Sequence, residues 1–429
     1  MRRFIAILSC MLLLMGCTTP TAELPGGRSV LSDPTLENAP TYTPAPTAVW
    51  TPGPLAENPA PTWQPETVKP FTLVAPLTYE WLGNVNTLQV DADGTFWLIN
   101  DLNVLQYADG LWQPFLTEIT DIVIGMDSQR RVWTASYDGS YVSAWDGSNW
   151  VVYTESEGWL PIDMFQYTPV DPGIHEDGHG GLWVTTAQDV RRLKDGRWDI
   201  FTPEEMGFKV GATEDTYIGF NLGIVDGDAW VGECDWGGPG PMGGDGVRRQ
   251  TSSGWQPVKL ANNNDCATFI QQDNGGNKVV GMGDTVYWQF AGTTQWNRFS
   301  PGVVQTAVGE VRGGYVMNAA IDPQGRVWVT FSMCGGAACD TAEATYILTD
   351  GKPELAYPPR DPFYQDLLFT TSGDAWLLGN TTNPELVFGR TTTPNRGFMS
   401  VAAAQDASGQ IWVVGHSSTQ VGLWKLEGN

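Results

Sequence analysis

The sequence predicts an all-β protein, a single β-propeller of four-stranded antiparallel blades. A motif made of a strand, an Asp-x-x-Gly turn and a second strand with Trp recurs from residue 84 to the end of the chain. A second hairpin, with its own Gly and Trp, follows the first in most copies. Paired hairpins at intervals of about 36 to 50 residues are typical of propeller blades.

The first hairpin is clearest in the copies that begin at Asp91, Asp177, Asp322 and Asp406. Asp and a Gly three residues later are favoured ends of a type I turn, and the Asp side chain caps that turn. Trp follows the Asp by six positions, where the second strand buries it between neighbouring sheets. Because repeated positions have the same packing role, we also expect the Trp residues of the second hairpin to be core: Trp112, Trp150, Trp198 and Trp296.

Four further copies have drifted from the motif. One copy has Arg130 at the glycine position, a second has Thr370 at the Asp position, and a third has Val279 at the Trp position. The fourth uses a two-residue turn at Asp226. Eight copies predict eight blades. Seven blades are the alternative, if one drifted copy is not a complete blade.

The two ends of the chain are predicted to meet. The last copy ends just after Trp424, before its fourth strand. Residues near Trp63 echo the fourth strand of another copy, so we expect this N-terminal segment to supply the missing strand and close the ring. Closure removes exposed sheet edges. The alternative is that Trp63 belongs to the linker.

The repeat, for example Asp322-Pro323-Gln324-Gly325-Arg326-Val327-Trp328, covers about 345 residues. It resembles the two-component-regulator propeller repeat, which occurs in periplasmic sensor regions of hybrid histidine kinases and in free-standing secreted proteins. The resemblance implies a propeller that senses or binds outside the cytoplasm. The sequence contains no kinase motif, so the signalling output of those sensors is not implied.

The N-terminus has the pattern of a signal peptide. Two arginines precede an apolar run from Phe4 to Met15, which is too short to span a bilayer of about 30 Å. The run ends in Leu14-Met15-Gly16-Cys17, which resembles the lipobox of bacterial lipoproteins. This resemblance implies cleavage before Cys17, a diacylglyceryl group on its thiol, and an extracytoplasmic protein anchored to a bacterial membrane. An ordinary signal peptide is the alternative.

A tether follows the predicted lipid anchor. Residues 17–60 are rich in Pro, Thr and Ala and lack the periodic apolar positions that a core requires. The predicted organisation is therefore a signal peptide at 1–16, a lipidated cysteine and disordered tether at 17–60, and a propeller at 61–429. We expect the protein to be a monomer.

The charge is strongly negative. The net charge is −25, and loss of the two arginines of the signal peptide makes it −27. Such a surface repels phosphate backbones, so nucleic acid is not an expected partner. It attracts cations, although a solvated acidic coat explains the same composition.

Four cysteines remain in the predicted propeller, which permits two disulfides with three pairings. Cys334 and Cys339 lie in one Gly/Ala loop, so we pair them, and this leaves Cys234 with Cys266. A zinc site is the alternative, but no histidine is close in sequence to any of the four.

Ligand binding is expected on one face of the ring. The connections between the second and third strands, and between blades, emerge there, and the long insertions fall in those connections. Candidate ligand-binding residues in the insertions are Trp159, Asp163, Tyr167, Asp235 and Trp236. The alternative is that the insertions only cap the blades.

The starts of the first strands should line the mouth of the central channel. The residues at these positions are Asn86, Asp121, Asp265, Asn318 and Asp366. Three carboxylates around one opening are compatible with Ca²⁺, which takes six to eight oxygen ligands. No EF-hand spacing supports this, so the metal is left open.

Catalytic motifs are scarce. His175 and His179 flank the turn residue Asp177 and are assigned to that turn, on the opposite face, which leaves His416 as the only histidine near the mouth. The first hypothesis is a non-enzymatic module that binds a carbohydrate, a peptide or an envelope protein, as a sensor or a scaffold. The alternative is a polysaccharide lyase or glycoside hydrolase with a carboxylate or metal site at the mouth.

Overall fold

The computed structural model describes residues 67–68, 71–78, 85–91, 93–100, 103–117, 119, 121–136, 138–161, 173–186, 188–209, 217–237, 240–261, 265–306, 309–335, 338–349, 352–360, 366–370, 375–378, 385–386 and 398–427. Pro65–Asn429 forms one compact unit. No helix within the described ranges is long and apolar enough to cross a membrane.

The described residues are almost entirely strands. The first eighteen strands are β1 (Thr67–Val68), β2 (Phe71–Leu77), β3 (Val85–Val90), β4 (Phe96–Asn100), β5 (Val104–Ala108), β6 (Leu111–Leu116), β7 (Ile122–Met126), β8 (Val132–Ala135), β9 (Val142–Trp145), β10 (Trp150–Tyr153), β11 (Ile174–Glu176), β12 (Leu182–Thr185), β13 (Val190–Lys194), β14 (Arg197–Phe201), β15 (Tyr217–Val225), β16 (Asp228–Gly237), β17 (Gly240–Thr251) and β18 (Gly254–Pro257).

The second part of the chain continues the same pattern. Its strands are β19 (Ala267–Gln272), β20 (Lys278–Met282), β21 (Thr285–Gln289), β22 (Asn297–Phe299), β23 (Val303–Thr306), β24 (Gly309–Ile321), β25 (Val327–Gly335), β26 (Ala338–Thr349), β27 (Lys352–Arg360), β28 (Asp366–Phe369), β29 (Ala375–Leu378), β30 (Glu385–Leu386), β31 (Phe398–Gln405), β32 (Ile411–Ser417) and β33 (Val421–Leu426).

Two short helices lie between strands. A 3-10 helix, Glu155–Glu157, follows β10. Helix α1 (Pro203–Met206) follows β14 and begins at Thr202, whose hydroxyl accepts a hydrogen bond from the Glu205 N–H. A capping Thr followed by Pro is a favoured helix start.

The strands form eight antiparallel sheets in the part of the chain that the structure describes. Sheets β3–β6, β7–β10, β11–β14, β15–β18 and β19–β22 have four strands, β23–β27 has five and β28–β30 has three. The eighth sheet has the order β1-β2-β33-β32-β31. Each sheet contains one copy of the sequence repeat.

The sheets are arranged in a ring. Neighbouring sheets contact each other in the order β4 with β7, β7 with β11, β11 with β15, β15 with β19, β19 with β24, β24 with β28 and β28 with β31. Strand β31 then contacts β3, so the last sheet meets the first. The fold is a β-propeller, as the sequence predicts.

An N-terminal strand completes the last sheet, but it is not the strand that was expected. Strand β2 pairs antiparallel with β33, and Phe71 is opposite Leu426. The residues near Trp63 lie outside the described range. Phe71, Leu73 and Ala75 point into the core, and Phe71 stacks on Phe398 with ring centroids 4.9 Å apart. This alternation of buried residues explains why 71–77 fills the position.

A hydrogen bond links the Asp and the Trp that recur in most copies of the repeat. In five copies the indole N–H of the Trp donates to a carboxylate oxygen of the Asp six residues earlier, at 2.7–2.9 Å. The other oxygen accepts backbone N–H groups of the turn; in one copy Asp127 accepts from Gln129 and Arg131. The Asp therefore joins the turn to the buried Trp.

Drifted copies carry other contacts: the copy with Arg130 keeps the bond between Asp127 and Trp133, whereas the copy with Val279 replaces it. Where Val279 stands in place of Trp, the side-chain amide of Asn277 donates to Asp273 at 2.7 Å. Arg130, at the glycine position, adopts a φ of 63°. Its guanidinium forms ion pairs with Asp91 and Asp93 of the preceding sheet.

One repeat Trp is not a core residue, which corrects the prediction. Trp97, Trp133, Trp183 and Trp328 are at most 1% exposed. Trp150 is 41% exposed, because it begins the outer strand β10 and the next sheet does not cover it.

Candidate functional site

The two ends of the sheets differ in the length of their connections. We call the end where the second strand of a sheet turns into the third the loop face, and the opposite end the turn face. At the loop face the hairpin β16–β17 has strands of 10 and 12 residues, and β25–β26 has strands of 9 and 12. In β8–β9 both strands have four. Two hairpins therefore project beyond the loop face.

A disulfide fixes the first of these hairpins. Cys234 of β16 is bonded to Cys266, which lies just before β19 in the next sheet. Both cysteines are buried. The predicted pairing of Cys234 with Cys266 is confirmed, and it ties two neighbouring sheets together at the loop face.

A buried carboxyl group lies beside the disulfide. Glu233 is 2% exposed, and its Oε2 accepts the backbone N–H of Asp245 on β17. Burial, together with the neighbouring charges of Asp235 and Asp245, raises the pKa of Glu233 to about 8. At neutral pH this group is therefore mainly a neutral acid next to a carboxylate.

Sequence reasoning did not select Glu233. Its signal is a single acidic residue inside the otherwise uncharged run from Ala229 to Cys234. A carboxyl group in such a run is either paired or protonated when the strand is buried.

Asp235, a predicted ligand-binding residue, is close to this acid. Its Oδ1 is buried and has no hydrogen-bond partner among the described residues. The Asp235 side chain interacts with the Glu233 carboxyl group and helps to raise its pKa. The two groups thus form a carboxyl–carboxylate pair.

Asp265, also predicted, immediately precedes the disulfide-bonded Cys266 in the chain. Its Oδ1 accepts the N–H of Cys266 at 2.8 Å. Burial raises its pKa, and the charge of Asp284 in the turn after β20 contributes. A Cβ at Gly244 of β17 would lie 2.6 Å from the Glu233 carbonyl oxygen and 2.9 Å from that of Asp265, so this approach requires glycine.

Two cations border the acidic groups. Lys209 Nζ is 3.9 Å from a carboxylate oxygen of Asp245. Arg248 donates to the carbonyl oxygens of Asp245 and Gly207, both at 3.0 Å. Burial lowers the pKa of Arg248. We define Glu233, Asp235, Asp245 and Asp265 as the acidic cluster. Its four acidic residues outnumber the two neighbouring cations.

Asp121 lies before β7 in another sheet and has a local partner. Both of its carboxylate oxygens accept from the Tyr141 hydroxyl, at 3.0 and 3.1 Å. Burial and this bond raise the pKa of Tyr141 to about 12. Sequence reasoning did not select Tyr141, which lies 20 residues away in the chain.

Trp159 is a core residue, contrary to its selection as a ligand contact. It is 0% exposed, and its indole N–H donates to the Gly139 carbonyl oxygen at 3.0 Å. The Arg191 guanidinium lies 4.2 Å from the ring centroid and is itself paired with Asp189. Both ring faces are occupied because the loop folds back between two sheets, and no ligand can stack on this ring.

The remaining mouth residues are described by their backbone positions. Asn86 is the second residue of β3, and Asp366 is the first residue of β28, opposite Leu378. Asn318 was expected near the start of its strand, but β24 begins nine residues earlier and Asn318 is opposite Thr330. Because β24 is longer than expected, Asn318 lies within the strand and not at its start.

Trp236 lies on β16, opposite Tyr217 on one side and Pro241 on the other. Asp163, Tyr167 and the predicted lipidation site Cys17 lie outside the described residues. Trp236 therefore belongs to the projecting hairpin that carries Asp235.

The second predicted disulfide stays a prediction. Cys334 is on β25 and Cys339 is on β26, and Gly335 is opposite Ala338 at the tip of this hairpin. The backbone thus places both cysteines at one hairpin end of the loop face.

The histidines do not join the acidic cluster. His175 and His179 border the turn of Asp177 at the turn face, as expected, and His179 Nε2 lies 3.3 Å from Asp228 of the next sheet. His416 Nδ1 lies 3.2 Å from the Ser417 carbonyl oxygen. Within the described ranges no three His, Cys, Asp or Glu side chains are placed to hold a metal ion.

No family model and no curated protein matches the chain. Among solved structures it is similar to the Dos1 propeller, with a TM-score of 0.53 and 12% identity over 85% of this chain and 98% of that one. It also matches the WD40 β-propeller domain of Doa1, with a TM-score of 0.39 and 10% identity over 84% of this chain and 98% of that one.

A third match is the extracellular domain of a protein described as a hybrid two-component system of B. thetaiotaomicron. The TM-score is 0.37 and the identity 12%, over 80% of this chain. The chain spans about half (52%) of the length of that domain. The similarity to the Dos1 propeller supports the conclusion that the fold is a β-propeller.

Proposed function

We propose that this chain is a non-enzymatic recognition module that is displayed outside the cytoplasm on a lipid anchor at Cys17. The signal-peptide pattern at 1–16, the Pro/Thr-rich segment at 17–60 and the resemblance to extracytoplasmic sensor repeats support this arrangement. Binding takes place at the loop face, on the hairpin β16–β17.

One observation carries the proposal. The Cys234–Cys266 disulfide holds a projecting hairpin against the next sheet, and Asp235 and Asp265 lie beside it. A rigid hairpin loses little conformational entropy when it binds, which favours affinity. Its carboxylates select a cationic ligand, so we propose a peptide or protein surface that presents Lys or Arg.

The test is an array of Lys- and Arg-containing dodecapeptides probed with the full chain. We expect salt-sensitive binding that Asp235→Asn and Asp265→Asn weaken about fivefold each, which is the effect of removing one partially screened ion pair. Asp195→Asn, in a turn of the turn face, is the matched control and should bind as the wild type does. Equal binding by all four proteins, or binding to a neutral glycan array alone, would contradict the proposal.

The anchor has its own test. Bacteria that express the full chain should incorporate labelled palmitate into the wild type, and the protein should partition with membranes. Cys17→Ser should abolish the label and release the protein. Cys10→Ser, within the segment that is removed, is the control and should change neither result.

A second candidate function is hydrolysis or elimination on a polysaccharide. The observation that favours it is the pairing of a neutral Glu233 with the Asp235 carboxylate, since an acid and a base side by side are what such reactions use. This function predicts that the full chain degrades a polymer and that Glu233→Gln abolishes the turnover. Without turnover of neutral and acidic polysaccharides, the recognition proposal stands alone.

A further inference from the structure

We propose that the outer strand β10 is a second binding surface, which adds an extended segment of a partner protein to its sheet. This segment has apolar, β-branched residues in its middle and basic residues at its ends. The surface is on the outer rim of the ring and is separate from the acidic cluster.

Strand β10 is unusual among the outer strands that the structure describes. Each of the others contains a proline or a charged residue, or has only two residues: Pro114 in β6, Arg197 and Asp199 in β14, Pro257 in β18, Arg298 in β22, Lys352 and Arg360 in β27, with β1 and β30 as the short ones. Charges, prolines and short length protect a free edge from pairing. Strand β10, with the sequence Trp-Val-Val-Tyr, has none of these protections.

The edge of β10 offers both side chains and backbone groups. Trp150, Val151 and Val152 are 41%, 46% and 48% exposed, whereas Tyr153 is buried in the core. Within the described residues β10 pairs with β9 alone. Trp150 packs against Trp145 of β9, with ring centroids 5.4 Å apart, so its exposed ring is held in place.

The hairpin register shows which backbone groups face outwards. Asp146 N–H donates to the Asn149 carbonyl oxygen at 3.2 Å at the end of the hairpin. Hydrogen-bonded and non-hydrogen-bonded pairs alternate along an antiparallel ladder. Val151 and Tyr153 therefore bond to β9, and Trp150 and Val152 direct their N–H and C=O groups to the free edge. An added strand would bond to these two residues.

The charge around β10 selects the partner. No Lys or Arg occurs between Arg131 and Arg191, whereas nine Asp and Glu residues do. Asp146 at one end of β10 is exposed, and Glu157 beyond the other end is partly exposed. Hydrogen bonds to neighbouring N–H and hydroxyl groups lower the pKa values of both carboxyl groups. Like charges oppose pairing with a second copy of this chain, and basic residues at the ends of a partner segment complement them.

The experiment uses the full chain and a fluorescent peptide of alternating Val and Thr flanked by two lysines at each end. Fluorescence anisotropy should show binding, and a peptide with a central proline should bind at least about tenfold more weakly because it cannot complete the ladder. Val152→Pro should weaken binding by about tenfold while it leaves the bonds to β9 intact. Val152→Lys should have a similar effect.

The matched control is Leu111→Lys, on the outer strand β6 of the neighbouring sheet, where Leu111 is 66% exposed. It should not change peptide binding, and all variants should retain the wild-type circular dichroism and melting temperature. Equal binding by Leu111→Lys and Val152→Pro, or no binding of the peptide to the wild type, would overturn the proposal. A dimer of the wild type that Val152→Lys dissociates would identify a second copy as the occupant and would also overturn it.

Discussion

The turn face and the loop face of this propeller are built from different kinds of contact. At the turn face the Asp of the repeat accepts a hydrogen bond from the indole N–H of the repeat Trp in five sheets. At the loop face each connection is different. A disulfide, a buried acid, the Asp121–Tyr141 pair and the buried Arg191–Asp189 pair each occur in one place among the described residues.

This difference separates stability from recognition. A contact that recurs from sheet to sheet contributes similar packing energy at each place and cannot select a ligand. Contacts that differ from sheet to sheet create one distinct surface on a rigid scaffold. Substitutions at the two faces should therefore lower stability to different extents, and only those at the loop face should alter binding.

The largest effect is expected at the turn face. Asp127 is buried and accepts from both the Trp133 indole and the Arg131 guanidinium. Asp127→Ala leaves both donors without a partner, so we expect the free energy of unfolding to fall by about 3–4 kcal/mol. Urea denaturation measures this.

The control for this variant is Asp273→Ala, in the copy without a Trp. Its partner Asn277 lies partly exposed and can bond to water, so the expected loss is about 1 kcal/mol. Equal losses for the two variants would show that the Asp–Trp bond is not what stabilises the regular turns.

At the loop face the disulfide should have the next largest effect. It closes a segment of 32 residues in the sequence. Replacing both Cys234 and Cys266 with Ser should lower the free energy of unfolding by about 2–4 kcal/mol and speed hydrogen exchange in β16 and β17. Exchange rates that change equally in the sheet β3–β6 would show that the bond acts on the whole ring rather than on this hairpin.

The buried Glu233 should make stability depend on pH. Its pKa rises from 4.5 in the unfolded chain to about 8 in the folded one, so between these values the folded state binds a proton that the unfolded state has lost. Stability that is present at low pH is therefore lost as the pH rises towards 8. Glu233→Gln, which stays neutral, should be more stable than the wild type by about 3 kcal/mol at pH 8 and similar to it at pH 5.

Chemical denaturation at several pH values measures the two curves. The control is Glu155→Gln, since Glu155 is an exposed residue of the 3-10 helix, and it should follow the wild type at every pH. Parallel curves for the wild type and Glu233→Gln would show that Glu233 is ionised in the folded protein at neutral pH.

The smallest effect is expected for Arg130→Gly at the turn face. Glycine adopts the φ of 63° without strain, which offsets the loss of the exposed ion pairs with Asp91 and Asp93. The free energy of unfolding should change by less than about 0.5 kcal/mol. Arg130→Val, which cannot easily adopt this φ, is the contrasting variant and should be clearly less stable.

Most of the fold was predictable because it repeats. The Asp-x-x-Gly turn, the Trp six residues after Asp and the second hairpin predict the strands of each sheet, and the structure confirms the propeller. The prediction placed the closing strand near Trp63, because the residues there resemble the fourth strand of another copy. The strand that closes the ring is β2, whose alternating residues Phe71, Leu73 and Ala75 are buried. Trp150 was misassigned because the neighbouring sheet leaves it exposed, whereas Trp198 at the same repeat position packs against Trp133 and Trp159 and is 5% exposed.

The candidate site was predictable only in part. Asp235, Asp265 and the Cys234–Cys266 pair were selected because they lie in long insertions next to strand ends. Glu233 is within a strand, and its partner Asp245 is 12 residues away on the next strand, so no local pattern marks the pair. Trp159 lies in a loop in the sequence, but the loop folds into the core.

The amino-acid sequence alone determined the repeating hairpins, because turn chemistry and strand alternation are local properties that a few consecutive residues contain. The tertiary structure decided which strand closes the ring, which loop residues are buried and which carboxyl group is held neutral. These depend on contacts between residues far apart in the chain, and on the exclusion of water that only the assembled sheets produce.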